Sequence, residues 1–253
     1  MTRQLLYLYR RDATIFNALY EVVPIHGTKP DTSWLLPDFS NIKHQKLDQK
    51  AKSASWLVSK CSTPSKREEL VELLRKTLEI DTFGRCGLKP LLPRTEARLE
   101  TYKRLLGPYY FYLSFENSRC KDYITEKFYN VLASQSAIPV VYGPSRVDYE
   151  AVAPAHSFIH VEDYDEAATL SDYLHFLERN STAYSQFFWW TSFYKVRKTA
   201  PACSLCRYLN EVKAGKRKPA ERIRNFNRYW VAEATCNISN VPWIKDISNS
   251  KVT

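Results

Sequence analysis

At 253 residues, 44% hydrophobic and 25% charged, the chain has the composition of one large or two modest globular domains and not of a disordered tail. Lys and Arg outnumber Asp and Glu by 37 to 27, a net charge of +10, which attracts phosphates, nucleic acid or anionic lipid without choosing among them. The longest apolar runs, such as "AIPVVYG" at 137–143, fall far short of the roughly 18–20 residues of a membrane helix, and the apolar stretch in the opening "MTRQLLYLYRRD" is too short for a secretory h-region.

Residues 1–50 show no steady apolar period and are punctuated by Pro24, Gly27, Pro30, Pro37 and Asp38, so they read as linker or partial domain. From residue 53 the pattern sharpens. "SASWLVS" at 53–59 reads as a strand, and "SKREELVELLRKTLEI" carries Leu70, Leu73, Leu74 and Leu78 at helical spacing. After a loop, "DTFGRCGLKPLLP", come the helix "RLETYKRLLG" with Gly107 as its stop and the buried strand "YYFYLSFEN" at 109–117. The helix "YITEKFYNVLAS", the strand "IPVVYG", the strand "SFIHVED" at 157–163 and the helix "EAATLSDYLHFLERN" follow. The aromatic stretch "AYSQFFWWTSFYKVR" reads as a further helix packed back on the domain.

Strands alternating with helices from about residue 53 to 180 predict a parallel sheet wrapped by helices, the doubly wound arrangement that binds nucleotides at the carboxyl ends of its strands. The most informative segment is "FYLSFENSRCKDYITEKFYNVL" at 111–132. There a hydrophobic strand ends at Phe115, polar Glu116 and Asn117 follow, and Thr125 caps a helix that begins with Glu126 and Lys127. A helix N-terminus with an adjacent Lys is a ready phosphate site, and Glu126 suits ribose hydroxyls. The competing reading of Glu126 and Lys127 is an ordinary charged first turn.

Six cysteines, Cys61, Cys86, Cys120, Cys203, Cys206 and Cys236, form an even set, and N-glycosylation sequons begin at Asn180 and Asn237. Both features fit an oxidising, secretory compartment. Asp163 and Asp165 form a D-x-D, a pattern that can hold a divalent metal on a nucleotide diphosphate, but it stands between a strand and a helix, where Asp165 works well as an N-cap. Cys203 and Cys206 have zinc or redox spacing without a second pair nearby, and His156 and His160 show no ligand spacing.

The string "FYLSFENSRCKDYITEKFYNVLASQSAIPVVYGPSRVDYEAVAPAHSFIHVEDY" closely resembles the donor-binding domain of the alpha-1,3-fucosyltransferase family, marked by FENS, YITEK, PVV-x-GPS and FIHV in order. "SWLVSKCSTPSKREELV" and "YLYRRDATI" resemble two further family segments; Lys60 stands where the family often has Asn, and no PYG follows the YRRD segment. The resemblance implies a GT-B type α/β fold with a complete C-terminal Rossmann-like donor domain over 51–200. Residues 1–50 would be the remnant of an acceptor-binding domain, and 201–253 a disulfide-tied C-terminal segment.

It further implies inverting transfer of L-fucose from GDP-fucose to a glycan or glycoprotein hydroxyl, with donor contacts at Ser59, Arg67, Tyr112, Asn117, Glu126 and Lys127. Arg67 and Lys127 would meet the charge that develops on the departing diphosphate, Glu126 would hold ribose or fucose hydroxyls, and Tyr112 and Asn117 would orient the donor. For Arg67 alone, the competing reading is a solvated first-turn residue. No cofactor is required beyond GDP-fucose as donor substrate, and a divalent metal, though compatible with the chemistry, has no support in the sequence. Inverting transfer needs a carboxylate base, which the family carries in an ESP motif ahead of YRRD; no ESP occurs here, so the base and the type II membrane anchor are expected upstream of Met1. The parent would then be a Golgi membrane enzyme with this part in the lumen. There Cys61 and Cys86 would pair, and Cys203 and Cys206 would join disulfides, with Cys236 as a candidate partner. Two rival readings stand beside this one. The first is a pseudoenzyme that binds GDP-sugar without turnover. The second, prompted by the basic run "KAGKRKPAERIRNFNR", is a nucleic-acid binder, which no accompanying motif supports.

Overall fold

The computed structural model describes residues 7–16, 19–25, 47–90 and 98–219, together with Tyr229 and Cys236. In chain order these form β1 (Tyr7–Leu8), β2 (Ile15–Phe16), β3 (Tyr20–Pro24), β4 (Lys52–Leu57), α1 (Arg67–Leu74), β5 (Ile80–Phe83) and α2 (Arg98–Leu106). There follow β6 (Tyr109–Phe115), α3 (Glu126–Ser134), β7 (Ile138–Tyr142), α4 (Arg146–Glu150), β8 (Ile159–His160), α5 (Ala167–Arg179), α6 (Ser181–Gln186), β9 (Tyr194–Lys198) and α7 (Pro201–Lys213).

A five-stranded sheet in the order β5-β4-β6-β7-β8, parallel throughout, is the centre of the domain. The inner strands β6 and β7 read as near-continuous apolar runs because both faces are covered, as parallel sheets require. All five residues of β7 are buried, and so are six of the seven of β6. Alternation sends Val140 and Tyr142 into one core with Leu70, Leu74, Leu170, Leu174 and Leu177, whereas Val141 faces Phe128, Tyr129 and Leu132 of α3 on the other side. Each fully buried Leu of α5 contributes about 1.5–3 kcal/mol relative to exposure. This is the doubly wound Rossmann-like arrangement that the alternation predicts.

Three local readings need correction. Residues 80–83 form a strand and not the end of a helix and a loop; β5 is a four-residue edge strand of only half-apolar pattern, too short for periodicity to register. The aromatic stretch is helical only to Gln186; after a short 3-10 turn, residues 194–198 form β9, which pairs antiparallel with β3. Finally, α5 is capped by Glu166, whose amide donates to Thr169 Oγ1 at 3.3 Å, and not by Asp165.

Candidate functional site

β4 and β6 are neighbours, yet the chain leaves β4 towards β5 on one side and β6 towards β7 on the other. The loops that follow them therefore diverge, and the carboxyl ends of β4 and β6 flank the crevice in which doubly wound sheets hold ligands. Residues 58–66 enter it from one side and residues 116–125 from the other.

Arg67 occupies the first position of the buried stripe of α1, with Leu70, Val71 and Leu74 at +3, +4 and +7. That register turns it inward, so it is 2% exposed and the solvated first-turn reading falls. Its Nη1 donates to Phe115 O at 2.6 Å and its Nη2 to Lys60 O at 3.2 Å, which joins the two loops, while Nε has no hydrogen-bond partner among the described residues. Burial pulls the guanidinium pKa down, opposed by the nearby Glu116 carboxylate.

Glu116 is fully buried where β6 ends. Its carboxylate accepts from Thr125 N at 2.7 Å, from Thr125 Oγ1 at 2.9 Å and from Lys127 Nζ at 2.9 Å. Burial raises its pKa, while Lys127 and Thr125 oppose the rise. The strand end thus fixes the first turn of α3: Thr125 caps the helix, and Lys127 Nζ also donates to Thr125 Oγ1 at 2.8 Å. An ammonium has three donors. With two committed to Glu116 and Thr125, one is left to meet a ligand, and the side chain is 17% exposed.

Behind this pair lies a supporting layer. Ser65 Oγ donates to Glu116 O at 2.7 Å, Ser65 N to Asn117 O at 3.1 Å, and Tyr142 Oη to Ser65 O at 3.1 Å. Arg119 lies over the Tyr142 ring, donates from Nε to Gly143 O at 3.3 Å and pairs with Glu162. Its Nη1 and Asn117 Oδ1 are buried polar atoms without a hydrogen-bond partner among the described residues. Such atoms mark places where a polar ligand has something to satisfy.

Of the six expected donor contacts, Arg67, Asn117 and Lys127 converge around Glu116 at the end of β6, and Glu126 opens α3 half-buried beside them. Ser59 is exposed just past the end of β4, beside Gly84. Tyr112 stands apart: it is 1% exposed in the core beneath α2 and α3, its ring edge-on to Tyr102, and burial pushes its phenol pKa well up. Sequence reasoning assigned no role to Glu116, Ser65 or Arg119. An acidic residue directly after a near-continuous apolar strand, eleven positions before a Lys, was the available signal for Glu116; Arg119 carried none.

Cys61 pairs with Cys86 as expected. Cys236 pairs instead with Cys120, which ties the C-terminal segment to the loop after β6, and Cys203 and Cys206 are exposed thiols. The latter two lie one turn apart on α7. No group of three metal-ligating side chains occurs among the described residues, and Asp163 of the D-x-D pairs with Arg146. Asn180 caps α6 through Oδ1, which accepts from Ala183 N at 2.9 Å; Asn237 lies outside the described residues.

The C-terminal domain of glycosyltransferase family 10 (fucosyltransferase) matches residues 47–226, the whole sheet and the crevice. The chain belongs to this family. A Rattus norvegicus relative, alpha-(1,3)-fucosyltransferase 7, is 38% identical over 189 residues, which is 75% of this chain and 45% of the rat protein. Glycoprotein 3-alpha-L-fucosyltransferase A of Drosophila melanogaster is 32% identical over 233 residues, 90% of this chain and 43% of the fly protein. The chain spans less than half the length of these curated family 10 relatives. The crystal structure of an alpha1,3-fucosyltransferase with GDP-fucose shares the fold, with a TM-score of 0.51 over 70% of this chain and 51% of that one, at 19% identity. The parallel five-stranded domain is thus the Rossmann-like part of a GT-B type, family 10 protein.

Proposed function

We propose that this chain is the GDP-fucose-binding part of an alpha-1,3-type fucosyltransferase that transfers L-fucose, with inversion, to a hydroxyl of a glycan or glycoprotein. The observation that carries the reading is the convergence of Arg67, Asn117 and Lys127 on Glu116 at the switch point of the sheet, next to the N-terminus of α3. Family membership supports it, as do relatives named as alpha-(1,3)-fucosyltransferases and a neighbour determined with GDP-fucose.

In this reading the diphosphate lies at the start of α3, where free amides and the helix dipole favour negative charge. The acceptor oxygen attacks the anomeric carbon as the bond to the β-phosphate oxygen breaks, and the charge left on GDP is met by the unused Lys127 donor and by Arg67. Because Glu116 and Thr125 already hold Lys127, the cation is preorganised and reaction requires little rearrangement of it. Glu126 holds ribose or fucose hydroxyls, Asn117 supplies its unsatisfied Oδ1, and Ser59 lines the mouth. Tyr112 contributes by setting the floor under α3 and not by contact, in keeping with its burial. The carboxylate that takes the acceptor proton belongs to the acceptor half of such an enzyme. Two disulfides and the Asn180 sequon favour a Golgi-lumenal setting.

Calorimetric titration of the purified chain with GDP at fixed salt tests the reading. Saturable one-to-one binding that Lys127→Ala and Arg67→Ala each weaken supports it. A folded chain that does not bind GDP, or binding indifferent to both substitutions, overturns it.

A further inference from the structure

Residues 9–12 lie a hundred positions from the loop between β6 and α3, yet they hold it. Arg11 donates from its backbone N to Asp122 Oδ2 at 3.0 Å, from Nε to Asp122 Oδ1, and from Nη2 to Asp148 Oδ1 in α4. The two carboxylates are buried, with side chains 2% and 9% exposed, while Arg11 keeps a third of its side chain in solvent. Asp148 also accepts from Ser145 Oγ at 2.8 Å, which fixes the turn before α4. One guanidinium thereby joins the N-terminal segment, the β6–α3 loop and α4.

The gripped residue has an unusual backbone. Asp122 has φ of 62°, the left-handed region that a β-carbon disfavours, and Ile124 N donates back to Asp122 O at 2.8 Å. Thr125, the cap of α3, is the next residue in the chain. The left-handed turn therefore decides where the helix starts and where Lys127 points, and it persists only while its surroundings enforce it. On the other flank of the same loop, the Cys120–Cys236 disulfide adds a second tie.

We propose that Arg11 is a positioning residue for the donor site: its grip on Asp122 and Asp148 sets the loop of residues 117–125 and through it the places of Asn117, Glu126 and Lys127. This rests on the donor reading above. The physical reason is the burial of the two acids. Without Arg11 they are carboxylates removed from water with their counter-charge gone, so Asp122 must swing outward towards water. That movement releases the turn that aims α3.

The test compares Arg11→Met, Asp122→Asn and the double variant by GDP titration and by amide hydrogen exchange over residues 118–127. Leu170→Val, a core change in α5, controls for a general loss of stability. The single variants are expected to weaken GDP about tenfold, the lower end of the loss that follows removal of the residues that orient metal ligands. The double variant is expected to be no weaker than Arg11→Met, because the Arg11–Asp122 contact is already lost in that single variant. Exchange over 118–127 should rise in these variants and stay unchanged in Leu170→Val. If Arg11→Met does not fold, Arg11→Lys, which keeps the charge without the two-carboxylate grip, takes its place. GDP affinity equal to that of the unsubstituted chain, additive effects, or the same effects from Leu170→Val overturn the proposal. If the folded, unsubstituted chain fails to bind GDP, the donor reading falls by itself; exchange over 118–127 then decides the grip, and an unchanged pattern overturns it.

Discussion

Glu116 and Lys127 meet at 2.9 Å between the end of a central strand and the first turn of a helix, the Glu116 side chain wholly buried and that of Lys127 17% exposed. That asymmetry divides their work. Glu116 holds the helix start in place from the protein side, and Lys127 faces both its partner and the crevice.

Removing one member of a buried pair strands the other, at a cost of about 3–5 kcal/mol, whereas removing both charges is nearly neutral. Lys127→Met should therefore shift the denaturant midpoint strongly downward. Adding Glu116→Gln to it should restore most of the stability but not the affinity for GDP. A double variant as unstable as Lys127→Met would show that the pair does not hold the helix start.

Gly143 follows β7, where a β-carbon would come within 2.8 Å of Tyr149 Oη and 3.0 Å of Glu116 Cγ. Gly143→Ala must displace one of them. The expected loss is about 1–3 kcal/mol of stability, together with weaker GDP binding if Glu116 is the group that yields. Thermal unfolding and calorimetry on the same protein measure both; an unaffected variant would mean that the neighbourhood relaxes freely.

His160, wholly buried, donates from Nε2 to Pro144 O at 3.1 Å while its Nδ1 accepts from Glu162 N at 3.1 Å. The neutral ring satisfies both bonds, and protonation of Nδ1 destroys the second. Burial lowers its pKa from 6.5 to about 4. A lowered folded-state value means that its contribution is fully present above pH 6.5 and is lost as pH falls towards 4, by about 3 kcal/mol in total. Urea unfolding across that window should show a shallower acid loss for His160→Asn than for the unsubstituted protein. Parallel curves would exclude His160 as a source of acid sensitivity.

The cysteines divide into two tied pairs and two thiols. Cys203 and Cys206 should react with a maleimide in the native protein without change in GDP affinity, whereas the other four should react only after reduction. Opening the Cys61–Cys86 bridge, which closes a segment of 25 residues, should cost about 3.5 kcal/mol by the chain-entropy estimate. Because that bridge braces the loop between β4 and α1, GDP binding should weaken with it. Four native-state thiols on titration would contradict the pairing.

Much of the architecture was legible in the chain. The apolar runs of β6 and β7 announce buried parallel strands because both faces of such strands are covered, and the leucine spacing of α1 and α5 marks the faces they bury. β5 and β9 were not legible: one is a short half-polar edge strand, and the other exists only because β3 is there to pair with it. Local pattern carries no information about a partner 170 residues away.

The site shows the same division. FENS and YITEK, the latter containing the helix N-terminus, placed Asn117, Glu126 and Lys127 on one loop and its helix, since their geometry is local to a strand end, a cap and a first turn. Whether Arg67 faced water or the core, whether Tyr112 lined the crevice or lay beneath it, and which cysteine met Cys236 were decided by packing alone. Each depends on which faces the sheet order brings together, and that order is the outcome of the whole chain folding. The reach of Arg11 into the loop before α3 belongs to the same class, a long-range contact that no spacing records and that two buried carboxylates require.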